Sequence, residues 1–439
     1  MQTQLAPEFA GTPDGADAEA ILRRCVHCGF CNATCPTYQL LGDELDGPRG
    51  RIYLMKQVFE GQAPTRSTQE HLDRCLTCRS CETTCPSGVE YGRLVEIGRR
   101  AVDAKVPRPA GERAERWLLR AGLTSPLFGP ALKLGQALRP LVPRALRAKM
   151  PPPAPAADAA REGLWPQRAH ARKVLVLAGC VQPALRPNID AATARVLDLA
   201  GVQAVAPDGA GCCGALRDHG GDHAGGLADM RRNVDAWWPW VAGLTEAGAV
   251  EAIVVNASGC GVAVKDYGHA LARDPAYADK ARRVSALARD LGEFLDGEMP
   301  ALMAHWAMVR ERLPARSPEH AQGGAATLVF HPPCTLQHGQ QLRGGVERIL
   351  RAFDFDVRLA AGESHLCCGS AGTYSVLQPI LATALRDRKL AALDAAAPAP
   401  RAIVSANIGC IAHLQSGTAT PVKHWVELVD ERLSGDSLK

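Results

Sequence analysis

The stretch CVHCGFCNATCP, residues 25–36, packs four cysteines into eleven residues, and CLTCRSCETTCP, residues 75–86, repeats its C-x2-C-x2-C-x3-C-P spacing. Four thiolates so spaced suit a cubane iron-sulfur cluster. Three on one loop reach three irons, and the fourth, redirected by the proline that follows it, points to a neighbouring cluster. Applied to both runs, this rule gives Cys25, Cys28, Cys31 and Cys85 to one 4Fe-4S cluster and Cys75, Cys78, Cys81 and Cys35 to a second. Zinc also takes four thiolates, but its sites commonly use two C-x2-C pairs with no third cysteine at the same step. His27, inside the first run, reads as a loop residue shaping the hydrogen bonds of the cluster rather than as a ligand.

Outward from these runs the first hundred residues carry helical patterns, such as RIYLMKQVF at 51–59, and few strand signals. The other eight of the sixteen cysteines form an internal repeat. Cys180 precedes the Cys212-Cys213-Gly214 triplet as Cys334 precedes Cys367-Cys368-Gly369, at steps of 32 and 33, and Gly-Cys follows at Cys260 and Cys410. In each copy an apolar β-branched run (KVLVLAGC at 173–180, ATLVFHPPC at 326–334) reads as a buried strand delivering its cysteine at the carboxyl end. A helix follows (188–199 and 345–353), then a short strand into the Cys-Cys-Gly turn, then a last apolar strand ending on Gly-Cys. Strands alternating with helices predict a small parallel α/β layer per copy, with the cysteines converging at the carboxyl edge of the sheet.

The expected fold is therefore α+β and multidomain. It comprises an α-helical two-cluster ferredoxin-like domain at 1–107, a basic helical and Pro-rich linker at 108–165, and two α/β Cys-Cys-Gly (CCG) modules at 166–300 and 301–439. The linker reading rests on a run of arginines and lysines from Lys105 to Lys149 that ends in MPPPAPAA at 150–157. With Trp117, Leu118, Leu127 and Leu134 among those charges, the run suits a face packed on a partner or a basic amphipathic element on a membrane surface.

Each CCG module has four cysteines, Cys180, Cys212, Cys213 and Cys260 in the first and Cys334, Cys367, Cys368 and Cys410 in the second. Adjacent cysteines fit poorly around one mononuclear ion but can hold separate irons. The chemistry stays open between a further iron-sulfur centre, a zinc ion, a redox disulfide and a structural staple. His331 and His365 are additional candidate ligands in the second copy. GAGCCG at 209–214 matches G-x-G-x-x-G only formally, because the second copy, ESHLCCG, keeps the cysteines and drops the leading glycines; no dinucleotide site is expected there.

Bulk properties narrow the classes. A chain of 439 residues exceeds one ordinary core, and a net charge of +4 calls for no nucleic-acid partner. MQTQLAPEFAGTPDGADAEA lacks the basic and apolar regions of a signal peptide, and no apolar run approaches the roughly 18 residues of a membrane span. Cysteines gathered into clusters suit a reducing compartment.

Taken together, CVHCGFCNATCPTYQLLGDELDGPRGRIYLMKQV, HLDRCLTCRSCETTCPSGV, HPPCTLQH, SHLCCGSAGTY and ANIGC resemble the family of iron-sulfur subunits of bacterial glycolate oxidase (glycolate dehydrogenase), over nearly the whole chain. That resemblance implies an electron-transfer subunit with two 4Fe-4S clusters and no flavin or catalytic residue of its own. It implies FAD-containing partner subunits (GlcD-like and GlcE-like), one of which oxidises glycolate to glyoxylate and also D-lactate, a quinone-type acceptor, and a peripheral place on the cytoplasmic side of the inner membrane. The CCG modules also resemble those of heterodisulfide reductase, which leaves a stand-alone CCG-centre reductase as the alternative. However, the C-x2-C that closes that family's motif is absent here: Ala263 and His413 stand where its last cysteine would be.

Overall fold

The computed structural model describes residues 1–141, 160–161, 163–245, 248–312 and 327–435. The proline-rich stretch at 150–157 lies outside them.

The N-terminal part is helical, with no strand among its described residues. Helices start where the sequence supplies a cap or a proline. Thr12 caps Pro13–Arg24 by accepting from the Gly15 amide, Pro48 opens Pro48–Phe59, and Thr65 forms a capping box on Arg66–Asp73. The longest helix of this part, Tyr91–Lys105, lays Leu94, Val95 and Val102 against Ile21, Leu22, Met55 and Phe59, and this core backs both cysteine runs.

Each CCG copy is a four-stranded parallel sheet. The strands are β1 (Arg172–Val176), β2 (Val202–Val205), β3 (Ala252–Val255) and β4 (Ala288–Asp290), then β5 (Thr327–His331), β6 (Asp356–Leu359), β7 (Ala402–Ser405) and β8 (Val422–His424). The order is β2-β1-β3-β4 in one sheet and β6-β5-β7-β8 in the other. Central strands β3 and β7 are buried throughout and apolar except for Ser405 at the end of β7, as expected of parallel strands covered on both faces.

Two details differ from the sequence reading. The strands β3 and β7 stop before Gly-Cys, and Cys260 and Cys410 sit in the first turns of helices Ser258–Lys265 and Ile408–Gln415. The edge strands β4 and β8 also carry no apolar run, since their sequences are ARD and VKH, so periodicity could not reveal them.

The two modules share one core. Helix Asn188–Leu199 packs on helix Trp425–Ser434, and helix Leu291–Arg312 joins the same apolar cluster, so the 300/301 division falls inside a continuous helix. Buried polar bonds pin the modules together: His424 Nε2 donates to the Asn256 carbonyl at 2.8 Å, Asn188 Nδ2 donates to Glu427 Oε1 at 2.8 Å, and the Ser258 and Thr335 hydroxyls meet at 2.7 Å.

The basic segment divides in two. Arg108 and Arg116 clamp Asp73 of the ferredoxin-like part, at 2.5 and 3.0 Å, and Arg120 donates to the Gly220 carbonyl at 2.7 Å. Helices Ala110–Leu123 and Phe128–Leu138 nevertheless bury no residue, and Trp117, Leu118, Leu127 and Leu134 are each at least 60% exposed.

Candidate metal centres

The two N-terminal runs enclose two neighbouring cavities. One is lined by Cys25, Cys28, Cys31 and Cys85, the other by Cys35, Cys75, Cys78 and Cys81. Pro48, Cys81 and Tyr91 border both cavities, so the two sets stand wall to wall. Pro36 opens helix Pro36–Leu41 and turns Cys35 away from its own loop, and Pro86 lies beside the first cavity with Cys85. All eight thiols are free. Burial together with the nearby Cys25 pushes the Cys31 thiol up to about 11, and burial also raises the Cys78 and Cys81 thiols. Crowded thiols in these pockets ionise readily only around a cation, and the donor set therefore fits iron-sulfur clusters.

A polar scaffold that the sequence reading did not assign surrounds the second set. Arg51 and Asp46 are each 1% exposed and lie 3.3 Å apart. Arg51 donates Nε to the His71 carbonyl at 2.7 Å and Nη1 to Thr37 Oγ1 at 3.1 Å, and its Nη1 lies 4.0 Å from Cys35 Sγ. Asp46 is further held by His71 Nδ1 at 3.0 Å and Arg74 Nη1 at 2.9 Å. Burial alone favours loss of the Arg51 proton, but Tyr91, Cys75, Cys35 and Asp46 outweigh it and hold the guanidinium charged. Tyr91 donates to Cys75 Sγ at 3.7 Å. The sequence signal for this scaffold was the DGPRGR run at 46–51, which places Asp46 and Arg51 five apart.

His27 adopts φ +59° and turns Nδ1 to Met1 Sδ at 3.1 Å. It lines the first cavity without belonging to a three-ligand cluster.

In the first CCG module the four thiols form a chain. Cys180 contacts Cys212, Cys212 contacts Cys213, and Cys213 contacts Cys260. The hydrogen bond to Cys212 holds Cys180 protonated, while Cys212, accepting from Cys180 and Cys213, is held down toward the thiolate. The second module repeats the chain. Cys334 and Cys367 sulfurs are 3.8 Å apart, and Cys368 meets Cys367 on one side and Cys410 on the other.

The glycine of each triplet has a physical role. Gly214 and Gly369 have φ of +91° and +90°, and a Cβ on either would lie 2.6 Å from a carbonyl oxygen, of Gly226 and Ala382 respectively. His413 Nε2 donates to the Ala382 carbonyl at 3.1 Å, and the backbone carbonyl of His365 accepts from His338 Nε2 at 2.9 Å.

The second module abuts the second thiol set. Cys334, Cys367 and Leu76 share an apolar cluster against which Cys78 packs. Two hydrogen bonds tie this seam, Tyr374 Oη to the Arg74 carbonyl at 3.1 Å and Thr83 Oγ1 to His338 Nδ1 at 2.9 Å. With Nε2 donating to His365, Nδ1 of the neutral His338 ring accepts from Thr83.

Residues 21–89 match the 4Fe-4S dicluster domain family, and residues 174–265 and 328–415 match the cysteine-rich domain family twice. The chain is 51% identical over 99% of its length to the glycolate oxidase iron-sulfur subunit of Escherichia coli K12, covering 99% of that protein. It is 29% identical to the probable glycolate oxidase iron-sulfur subunit of Bacillus subtilis, over 94% of this chain and 92% of that protein. A shorter relative, lactate utilization protein A of Bacillus licheniformis, aligns at 22% identity along its full length with 59% of this chain.

Proposed function

Given that this chain belongs to the glycolate oxidase iron-sulfur subunit family, we propose that it conducts electrons within a glycolate-oxidising complex, from FAD-containing GlcD-like and GlcE-like subunits to a quinone-type acceptor. The observation that carries this reading is the pair of adjoining cysteine-lined cavities with shared walls. When bound, 4Fe-4S clusters supply one-electron redox chemistry. Cys25, Cys28, Cys31 and Cys85 would hold one cluster and Cys35, Cys75, Cys78 and Cys81 the other, with each run lending its last cysteine across. Arg51 sets a fixed positive charge beside the second site.

Glycolate oxidation to glyoxylate, and that of D-lactate, belongs in this proposal to a partner flavin subunit. The exposed apolar and basic face of helices Ala110–Leu123 and Phe128–Leu138 offers a docking surface for the partner or the inner-membrane face. No helix among the described residues is long and apolar enough to cross a membrane.

The test is Cys28→Ser in the assembled complex. Glycolate-dependent dye reduction is expected to vanish while the flavin subunits remain soluble. Wild-type activity in that variant would remove Cys28 from the ligand set, and turnover by the isolated chain with a small-molecule donor would favour a stand-alone reductase.

A further inference from the structure

The two CCG modules repeat in sequence but differ at a buried position close to the cysteines. Three residues before its lone cysteine the first module has Leu177, and the second has His331. His331 ends β5, is 1% exposed, and neither ring nitrogen has a hydrogen-bond partner. An imidazole buried with both nitrogens unpaired is unfavourable unless something occupies it.

What faces it is a pair of thiols. A ring nitrogen of His331 and the sulfurs of Cys368 and Cys410 lie within 4.8 Å of one another, all three residues buried. No comparable three-ligand set forms among the described cysteines of the first module. The adjacent Cys367 touches Cys368 but also reaches Cys334 at 3.8 Å and packs toward Cys78, away from His331 and Cys410. The Cys-Cys step thus splits its thiols between two neighbourhoods, which answers the objection that adjacent cysteines fit poorly around one ion.

The surroundings hold this set in place. Ser405 Oγ donates to the His331 carbonyl at 3.0 Å, and Asn407 Nδ2 donates to Cys410 Sγ at 3.7 Å. Lys389, 2% exposed, lies near Cys368, Cys367 and Cys334 and offsets negative charge on the thiols; at the same step from the first module's pair stands Val234.

From this geometry we infer that His331, Cys368 and Cys410 form a mononuclear site for a zinc-class divalent cation, present in the second CCG module and absent from the first. Two thiolates and an imidazole are a borderline-soft donor set that leaves a fourth tetrahedral position to water or an exogenous ligand. The inference goes beyond the electron-transfer reading and does not depend on it.

The experiment is metal analysis and zinc-edge X-ray absorption on the anaerobically purified full chain. The expected result is about one zinc per chain, with two sulfur and at least one imidazole scatterer at roughly 2.3 and 2.0 Å. His331→Leu, which imitates the first module, should weaken zinc binding at least a hundredfold, whereas His331→Cys should retain it. The inference is overturned by a wild-type chain without zinc, by a purely sulfur shell, by additional iron with matching acid-labile sulfide in this module, or by a folded His331→Leu variant that binds as tightly. If that variant fails to fold, the wild-type absorption spectrum alone decides.

Discussion

Replacing Arg51 by methionine removes a buried positive charge beside the second thiol set while keeping most of the side chain's volume. Arg51 Nη1 lies 4.0 Å from Cys35 Sγ, and Asp46 remains held by Arg74 and His71 after the change. At an effective dielectric of about 20, a unit charge some 4–8 Å from an added electron contributes roughly 2–4 kcal/mol. For a one-electron couple at about 59 mV per tenfold, that is roughly 90–180 mV. Asp46, bonded to the same guanidinium, cancels part of it, so the cluster proposed for Cys35, Cys75, Cys78 and Cys81 should become harder to reduce by about 50–100 mV. The other cluster, whose cavity Arg51 does not line, should move much less. Removing one partner of a buried pair also destabilises, by about 3 kcal/mol at the low end of the usual range because Asp46 keeps two partners. The assay is a redox titration followed by low-temperature EPR on anaerobically purified protein, with Arg51→Lys as the charge-retaining control. A potential that stays put, rises, or falls equally in Arg51→Lys would refute the electrostatic reasoning.

Asp190 is 7% exposed and accepts from Gln182 Nε2 at 2.7 Å and Asn256 Nδ2 at 2.8 Å, yet burial outweighs these bonds and raises its carboxyl to about 7. The folded state therefore holds a proton that the unfolded chain releases near pH 4, and stability drains away as pH rises from about 4 to 7. Asp190→Asn should gain up to about 4 kcal/mol over wild type at pH 8 and nearly nothing at pH 4, measured by denaturant unfolding; a difference independent of pH would contradict this. Gly369→Ala combines a left-handed backbone with a 2.6 Å approach to the Ala382 carbonyl, and should cost about 2–4 kcal/mol and lower the melting temperature, whereas an unchanged melting temperature would show that the triplet tolerates a side chain.

The repeat arithmetic and the doubled C-x2-C-x2-C-x3-C-P runs carried the architecture, because cysteine spacing and β-branched runs are local features that survive without knowledge of packing. Helix Asn188–Leu199 falls where its periodicity places it, and the central strands β1, β3, β5 and β7 coincide with the apolar runs. The grouping of the thiols around two cavities, with Cys35 beside Cys75, Cys78 and Cys81 and with Cys85 beside Cys25, Cys28 and Cys31, could be written down from spacing and a following proline.

What the sequence alone could not decide depends on which surfaces meet. Edge strands β4 and β8 are held by neighbours rather than by their own three residues, and the core shared by the two modules joins segments more than a hundred residues apart. Arg51 reads as one more basic residue until the fold buries it between Asp46 and Cys35. His331 and His365 are equal candidates as letters in a sequence. Tertiary structure separates them, burying the first unpaired against Cys368 and Cys410 and leaving the second in a loop, because burial and convergence are properties of packed surfaces and not of the chain order that supplies them.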